Sequence, residues 1–571
     1  MDNDGFIEKN WFWVSFLLLI LFKQHLAVML PLYPIYNNGA YDDLLMVQLA
    51  DKLLNSSWPT SPVMLTKGIG FPLFLLLGVL LGFNYAVLNT LFHSAASLLM
   101  VFAVEPIIRR RWMMLIFFAI LIFLPATCSL DCFQRIYRTS ITIWQVLLIM
   151  ASLAGMLFRL ERFPGVLLKW SLPGVIGLSW MFHTREESVW IVPLAVGMFA
   201  VSFFSLWYAV SPKKREFWLK GIILLLPLLF LLVTVEIISA MNYCHNGFWG
   251  TTIFTDGPFP RMVRSIYQIR WPDSDQLSPR LAISRKQLRS LYQFSPTLAA
   301  KRKNIEQSLD HWSTGCPKPG PEKEVENGWI FWSMLLWPNE EQTVNANRFY
   351  AAVADELNSA VAAGDLKTRR TMPSALMAPW KPSALPVFEK AFWEAWDVVL
   401  NHQKIHLYNS SSREPIHGIR YLEDFSGKKI AHVSDLPSSI KVSTDSAVEI
   451  LNSLIDWYKS SAAVINILGL AGFLVILIRV IYSPDIQLLK TVIFLIAIAA
   501  SCTLLIAGVA YTHATSIYAL HPAYLAGCYP IIPVFCLTAF FCALNILIGI
   551  WPRHRSSAKS VPPFQPHNEI R

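Results

Sequence analysis

Charge is scarce in this sequence. Only 15% of its 571 residues are Asp, Glu, Lys or Arg, against about a quarter in ordinary soluble chains. Cysteine is sparse too, eight in all, which excludes a disulfide-built scaffold. The 26 glycines follow no period, excluding a collagen-like chain, and 54% hydrophobic content excludes disorder. There is no GxxxxGK[ST] phosphate loop, no dinucleotide-binding GxGxxG, no HExxH and no CxxC. A nucleotide-driven pump, a dinucleotide enzyme and a zinc protease therefore find no support.

Long apolar runs and an excess of basic charge are what the chain does have. A formal net charge of +10 suggests a nucleic-acid partner on its own. A mean hydropathy of +0.43 removes that reading, so no nucleic-acid partner is expected. A bilayer core about 30 Å thick takes about 20 apolar residues per helical crossing. Runs of this kind cover residues 11–30, 86–106, 112–128, 141–158, 164–182, 189–210, 219–240, 462–482, 488–511 and 524–550. The expected class is an all-α polytopic membrane protein with about ten transmembrane helices. Residues 68–106 are nearly continuously apolar; a single crossing preceded by an interfacial helix is expected, because two crossings would move Arg109, Arg110 and Arg111 outside.

Orientation follows from Lys and Arg in the loops. One side holds fifteen basic residues against five acidic ones, a difference equal to the whole net charge, and the short loops opposite hold Lys52, Lys67, Arg135, Arg138 and Arg185. The first side is read as cytoplasmic, with both termini there. This divides the chain into a seven-helix module (1–240, with a first outer loop at 31–67), an extracytoplasmic domain (241–461), three further membrane helices (462–550) and a cytoplasmic tail (551–571). The outer domain carries 10 of the 21 Trp and helical patterns near 285–310, 345–363 and 387–401. A mostly helical ectodomain is expected between the seventh and eighth crossings.

The first outer loop is the richest in chemistry. From Tyr41, helical spacing places Tyr41, Leu45, Leu49 and Leu53 on one stripe and Asp43, Gln48, Asp51 and Lys52 opposite, an amphipathic helix for the membrane surface. Asp42 and Asp43 stand at its N-terminus, where anions are favoured; plain capping is the bland alternative. The second outer loop supplies Arg135 and Arg138, three apart and so expected on one helical face. The third packs His183, Thr184, Arg185, Glu186 and Glu187 between two apolar spans, either as a salt-bridge cluster or as part of a phosphate site with Lys67, Arg135 and Arg138. His513, His521, Tyr518 and Tyr524 read as an interfacial aromatic belt. Lys23, His25, His93, Lys169 and Glu236 lie inside spans, mostly near the ends, which favours snorkelling. The pairs Cys128/Cys132 and Cys244/Cys316 are open to disulfide formation. Trp329, Trp332 and Trp337 offer stacking faces to a glycan, or simply pack.

The segment YDDLLMVQLADKLL, then Trp58 and LTKGIGFPLFL, resembles the first outer loop of bacterial membrane glycosyltransferases of the type C superfamily, where HDD precedes an amphipathic helix and LxKGxxYPLFL. Tyr41 replaces the usual His here and Phe71 the usual Tyr; the remainder of the chain matches in architecture only. The resemblance implies transfer of a sugar from a polyprenyl-phosphate carrier to a glycan, lipid or protein acceptor on the outer face of a bacterial cytoplasmic membrane. It implies Asp42 or Asp43 as base, with Lys67, Arg135, Arg138 and Arg185 on the lipid phosphate. His183, Glu186 and Glu187 would support them. No cofactor is required, although Asp42 and Asp43 with Glu186 or Glu187 offer oxygen ligands to a divalent cation. A lipid-linked glycan flippase and a non-catalytic scaffold presenting the ectodomain are the competing classes. Partners besides donor and acceptor are membrane lipids.

Overall fold

The computed structural model describes residues 3–33, 41–209, 212–272, 277–313, 324, 328–339, 342–369, 377–407, 416–428, 430 and 438–549. The first part of the chain forms α1 (Asn3–Met29), α2 (Tyr41–Leu54), α3 (Gly70–Leu81), α4 (Tyr85–Ala103), α5 (Glu105–Ile108), α6 (Arg111–Ile122), α7 (Thr139–Leu157), α8 (Pro164–Phe182), α9 (Val192–Ala209) and α10 (Arg215–Asn246). Short helices follow: α11 (Pro258–Tyr267), α12 (Arg285–Phe294), α13 (Pro296–Ala300), α14 (Arg302–Ser313), α15 (Gly328–Leu336), α16 (Thr343–Ala362), α17 (Leu385–Leu400) and α18 (Ile416–Ser426). The chain then runs through α19 (Ser438–Tyr482), α20 (Ile486–Thr515), α21 (Pro522–Leu525) and α22 (Ile531–Leu547). Among the described residues eight helices are long and apolar enough to cross a membrane, and α3, α6 and α22 are shorter apolar helices. This is a polytopic, all-helical membrane protein.

The apolar run at 68–106 is broken by two local features. Gly82, at φ +70°, ends α3 in the left-handed conformation that glycine tolerates. The Asn84 side chain then accepts from Val87 N at 2.9 Å and caps α4. At 12 residues α3 spans about 18 Å, too short for a crossing. Both its ends lie beside the same group of loops: Gly70 N donates to His183 O at 2.7 Å, and the Tyr85 hydroxyl, just past its other end, lies 3.1 Å from Arg135 O. Residues 68–106 therefore hold one helix long and apolar enough to cross a membrane, α4, preceded by the shorter apolar α3.

The arginine-rich end is tied together by cations on exhausted helix C-termini, where free carbonyls favour them. Arg159 donates to Ala103 O and Phe102 O at 2.9 and 2.6 Å. Lys220 donates to Leu160 O at 3.0 Å. Asn545 near the end of α22 donates to Ile107 O and Ile108 O, so α22 ends beside the start of α6.

Two apolar cores form. One runs through the helical module and takes in Ala395, Val398, Leu422, Leu451 and Tyr458 from the later part of the outer segment. The other belongs to residues 248–378, with Phe259, Leu291, Trp332 and Tyr350 at its centre and Leu65 of the first loop inserted. Residues 241–461 are thus helical, and among the described residues a separate core forms within 248–378. Helix α19 is continuous across residue 461.

Three expectations are corrected. Lys23 and His93 do not snorkel: they are 2% and 4% exposed and face the bundle interior. Helix α2 buries Asp43 along with Met46, Val47, Leu49 and Ala50, while Gln48, Asp51 and Lys52 stay half-buried; Asp43 alone leaves the stripe that spacing marks as polar, because a buried arginine compensates it. Cys128 and Cys132 are both free buried thiols. Cys244 is also free, and Cys316 lies outside the described residues.

Candidate active site

The first and second outer loops meet through main-chain bonds. Tyr33 N donates to Gln134 O at 2.9 Å, and Tyr33 and Arg135 form an isolated parallel bridge. The Gln134 side chain donates to Pro31 O at 3.2 Å. Arg135 therefore has extended backbone, and Arg138 stands just before α7. The two arginines do not share a helical face; the loop folds them together around Tyr137.

Asp43 is fully buried and accepts from Arg135 Nε at 2.7 Å. A buried carboxylate without such a partner is strongly destabilising. Asp42 differs, with 32% of its side chain exposed. Its Oδ1 lies 3.2 Å from Lys67 Nζ, and its Oδ2 accepts from the Tyr137 hydroxyl at 3.3 Å. That hydroxyl accepts in turn from Arg138 Nε at 3.0 Å, and Arg138 Nη1 reaches Glu186 Oε2 at 2.5 Å. The Arg135 guanidinium lies 4.1 Å over the Tyr137 ring. Burial pushes the Asp42 carboxyl up, but Lys67, Arg135 and Arg138 together outweigh it and hold the group below its ordinary range. Tyr137 is pushed up, chiefly by burial, and stays a neutral donor.

Glycines place Lys67. A Cβ on Gly68 would stand 2.1 Å from His183 O, and one on Gly70 2.5 Å from Thr184 Oγ1. The KGIG segment lies flat against the end of α8 for that reason. The Lys67 ammonium, 3% exposed as a residue, also lies 4.7 Å over the Trp329 ring. A tryptophan of the outer segment thereby joins the charged cluster, and Trp332 packs edge-on against it at 5.4 Å. The Trp337 side chain lies outside the described residues.

Beside this cluster is a cavity of about 350 Å³. Gly68, His183, Arg185 and Glu186 line one wall, Thr251, Thr255 and Asp256 another, and Val189, Val235 and Ile238 supply apolar surface. Val189 is 56% exposed, so the apolar wall reaches the surface of the protein. Arg185 donates to Ala523 O at 2.7 Å, which brings the last three helices to the site. His183 Nε2 lies 3.0 Å from Thr234 Oγ1, and burial pulls its pKa down to about 4. Glu236 lines the same cavity.

Asp42, Asp43, Lys67, Arg135, Arg138 and Glu186 thus lie in one charged cluster, while His183, Arg185 and Glu186 line the cavity. Neither aspartate lines it directly; Asp42 is one ion pair from its wall, through Lys67 beside Gly68. The Glu187 side chain lies outside the described residues. Asp42, Asp43 and Glu186 each face their own cation, and among the described residues no three His, Cys, Asp or Glu gather as metal ligands. Sequence reasoning missed Tyr137, legible as the aromatic between two arginines in RIYR; it marked Trp329 as a stacking or packing aromatic but not as a partner of Lys67.

No known family profile matches the sequence, and no curated protein matches it. Among solved structures the chain is similar to ArnT from Cupriavidus metallidurans, in a crystal structure bound to undecaprenyl phosphate. The match has 12% identity and a TM-score of 0.27, covering 90% of this chain and 78% of that one. The functional reading rests instead on this chain's own residues.

Proposed function

We propose that this protein is an integral-membrane glycosyltransferase that moves a sugar from a polyprenyl-phosphate carrier to an acceptor on the outer face of the membrane. The observation that carries the reading is Asp42: a partly exposed carboxylate, ionised among Lys67, Arg135 and Arg138, one ion pair from a cavity with an apolar wall that reaches the surface of the protein. That combination suits a donor with a hydrocarbon tail and a phosphate head. The first-loop resemblance supports the same class.

In this reading the carrier's tail lies along Val189, Val235 and Ile238, and its phosphate faces Arg185, with Lys67 and Arg138 nearby. Asp42 accepts the proton of the acceptor hydroxyl as its oxygen bonds to the anomeric carbon. The bond from that carbon to the phosphate oxygen breaks, and the electron pair leaves with polyprenyl phosphate. One displacement inverts the anomeric centre. The cations stabilise charge gained by the leaving phosphate. Asp43 holds Arg135 and does not touch substrate. The compensated carboxylates favour a reaction carried by side chains alone. The Arg109 to Arg111 end faces the cytoplasm, with both chain termini.

The test is transfer from radiolabelled polyprenyl-phosphate sugars to envelope acceptors by purified protein, wild type against Asp42→Asn. Loss of both transfer and free polyprenyl-phosphate release in the variant is expected. Unchanged transfer would remove Asp42 as base, and a wild type that transfers from no such donor would overturn the reading.

A further inference from the structure

Lys23 is a buried amine inside the helical bundle that no carboxylate among the described residues faces. It lies six residues before the outer end of α1 and is 2% exposed. Its ammonium donates to Thr127 Oγ1 at 3.0 Å, with Thr127 O at 3.5 Å, and lies 5.9 Å from the Phe123 ring. Thr127 Oγ1 donates its own proton to Leu124 O, so toward Lys23 it is purely an acceptor. Among the described residues no carboxylate pairs with Lys23. The nearby Cys128 thiol donates to Pro125 O at 3.2 Å, as a neutral S–H does. An ammonium at this depth is costly unless paired.

The other groups around Lys23 are of the same kind. His93 on α4 is 4% exposed, and neither of its ring nitrogens has a hydrogen-bond partner; Thr90 Oγ1, one turn earlier, has none either. Asn89 accepts from Trp144 Nε1 at 3.1 Å, which turns its oxygen to that ring. Lys23, Asn89, Thr90, His93, Thr127 and Ser140 line one small cavity, closed by Phe133 and Ile143. Buried polar groups in proteins are almost always satisfied; here Thr127 and Ser140 have given their protons to Leu124 O and Tyr137 O, and Lys23, Thr90 and His93 are the groups with donors left to offer. Its volume of about 10 Å³ holds one particle of roughly water size, too little for sulfate or phosphate.

We infer that this cavity is a binding site for one small monovalent anion of the halide class, held by Lys23, His93 and Thr90 within the outer half of the bundle. Chloride neutralises the buried ammonium and takes up N–H and O–H donors that protein groups leave open. The site joins α1, α4 and the turn after α6, so occupancy ties three helices together. It is independent of the proposed transfer reaction.

The test is thermal unfolding of the full chain in detergent, titrated with sodium chloride against sodium gluconate at equal ionic strength. Anything that binds only the folded state raises Tm as its concentration passes Kd. A saturable rise of several degrees in chloride, reproduced by bromide and missing in gluconate, is expected, and Lys23→Met should lose that increment. Bromide-grown crystals should show an anomalous peak within hydrogen-bond distance of Lys23 Nζ. Equal Tm in both salts for the wild type would mean that the cavity holds water only and would overturn the proposal. An increment retained in full by Lys23→Met would place the anion elsewhere and overturn it equally. If Lys23→Met does not fold, the wild-type titration and the bromide peak decide.

Discussion

Asp43 and Arg135 are 92 residues apart in sequence and 2.7 Å apart in space, carboxylate oxygen to guanidinium Nε. With Asp43 fully buried, the pair is an internal clamp between the first two outer loops. Its neighbour Asp42, one residue earlier on the same helix turn, is the carboxylate with solvent access.

This contrast separates the two aspartates experimentally. Asp42→Asn should leave the fold intact and lower sugar transfer about 10²- to 10⁴-fold, the usual contribution of a general base. Asp43→Asn removes the carboxylate that holds Arg135 Nε inside the protein and should cost about 3 kcal/mol of stability. Radiolabel transfer and thermal unfolding on both variants check this; equal stability losses would remove the division of labour.

Activity should fall only at strongly acidic pH in the wild type. Asp42 is held below its ordinary value of 3.8 and stays ionised until pH drops past that. Stability from its ion pair is complete above 3.8 and disappears as pH falls through the lowered value. In Lys67→Met one of the compensating charges is gone, so the acid limb of the pH profile should move upward. An unmoved limb would mean that another group titrates.

His183 has the same sign in a higher pH window. Burial pulls it from 6.5 to about 4, so the folded protein resists protonation that the unfolded chain accepts. Stability should decline as pH falls from about 6.5 toward 4, by up to about 3 kcal/mol from this one group. His183→Gln removes the titration and should flatten that part of the profile relative to wild type, as denaturation at stepped pH would show.

Gly68→Ala and Gly70→Ala should both destabilise the protein and lower transfer at least tenfold, because either Cβ collides with residues 183–184 and shifts Lys67 away from Asp42. Gly197→Ala is the control: a Cβ there meets nothing within 4 Å, and an alanine in mid-helix gains about 1 kcal/mol over glycine. Transfer and Tm for all three variants test this. A tolerated Gly68→Ala would mean that the loop does not need its close approach.

Much of the fold was legible because a bilayer imposes one rule on every crossing. Apolar runs of sufficient length mark the helices, and Arg159 and Lys220 collect where free carbonyls past helix ends need cations. The candidate site was legible by residue type: two carboxylates and four cations in short outer loops, with glycines after Lys67. Side-chain direction was not. Helical spacing put Asp43 on the polar face of α2 and Arg135 with Arg138 on a common helix, and neither holds. Both errors have one cause, since a charge can be buried wherever a distant partner arrives to meet it.

Composition and periodicity alone determined that this chain inserts in a membrane as a helical bundle and which loops carry the positive charge. These properties follow from hydropathy and charge, which act locally along the chain. Only the tertiary structure decided which aspartate is exposed, that Tyr137 links Asp42 to Arg138, that Trp329 covers Lys67, and that Lys23 turns inward toward His93. Each of those depends on segments tens to hundreds of residues apart meeting within a few ångströms, and no local pattern encodes such a meeting.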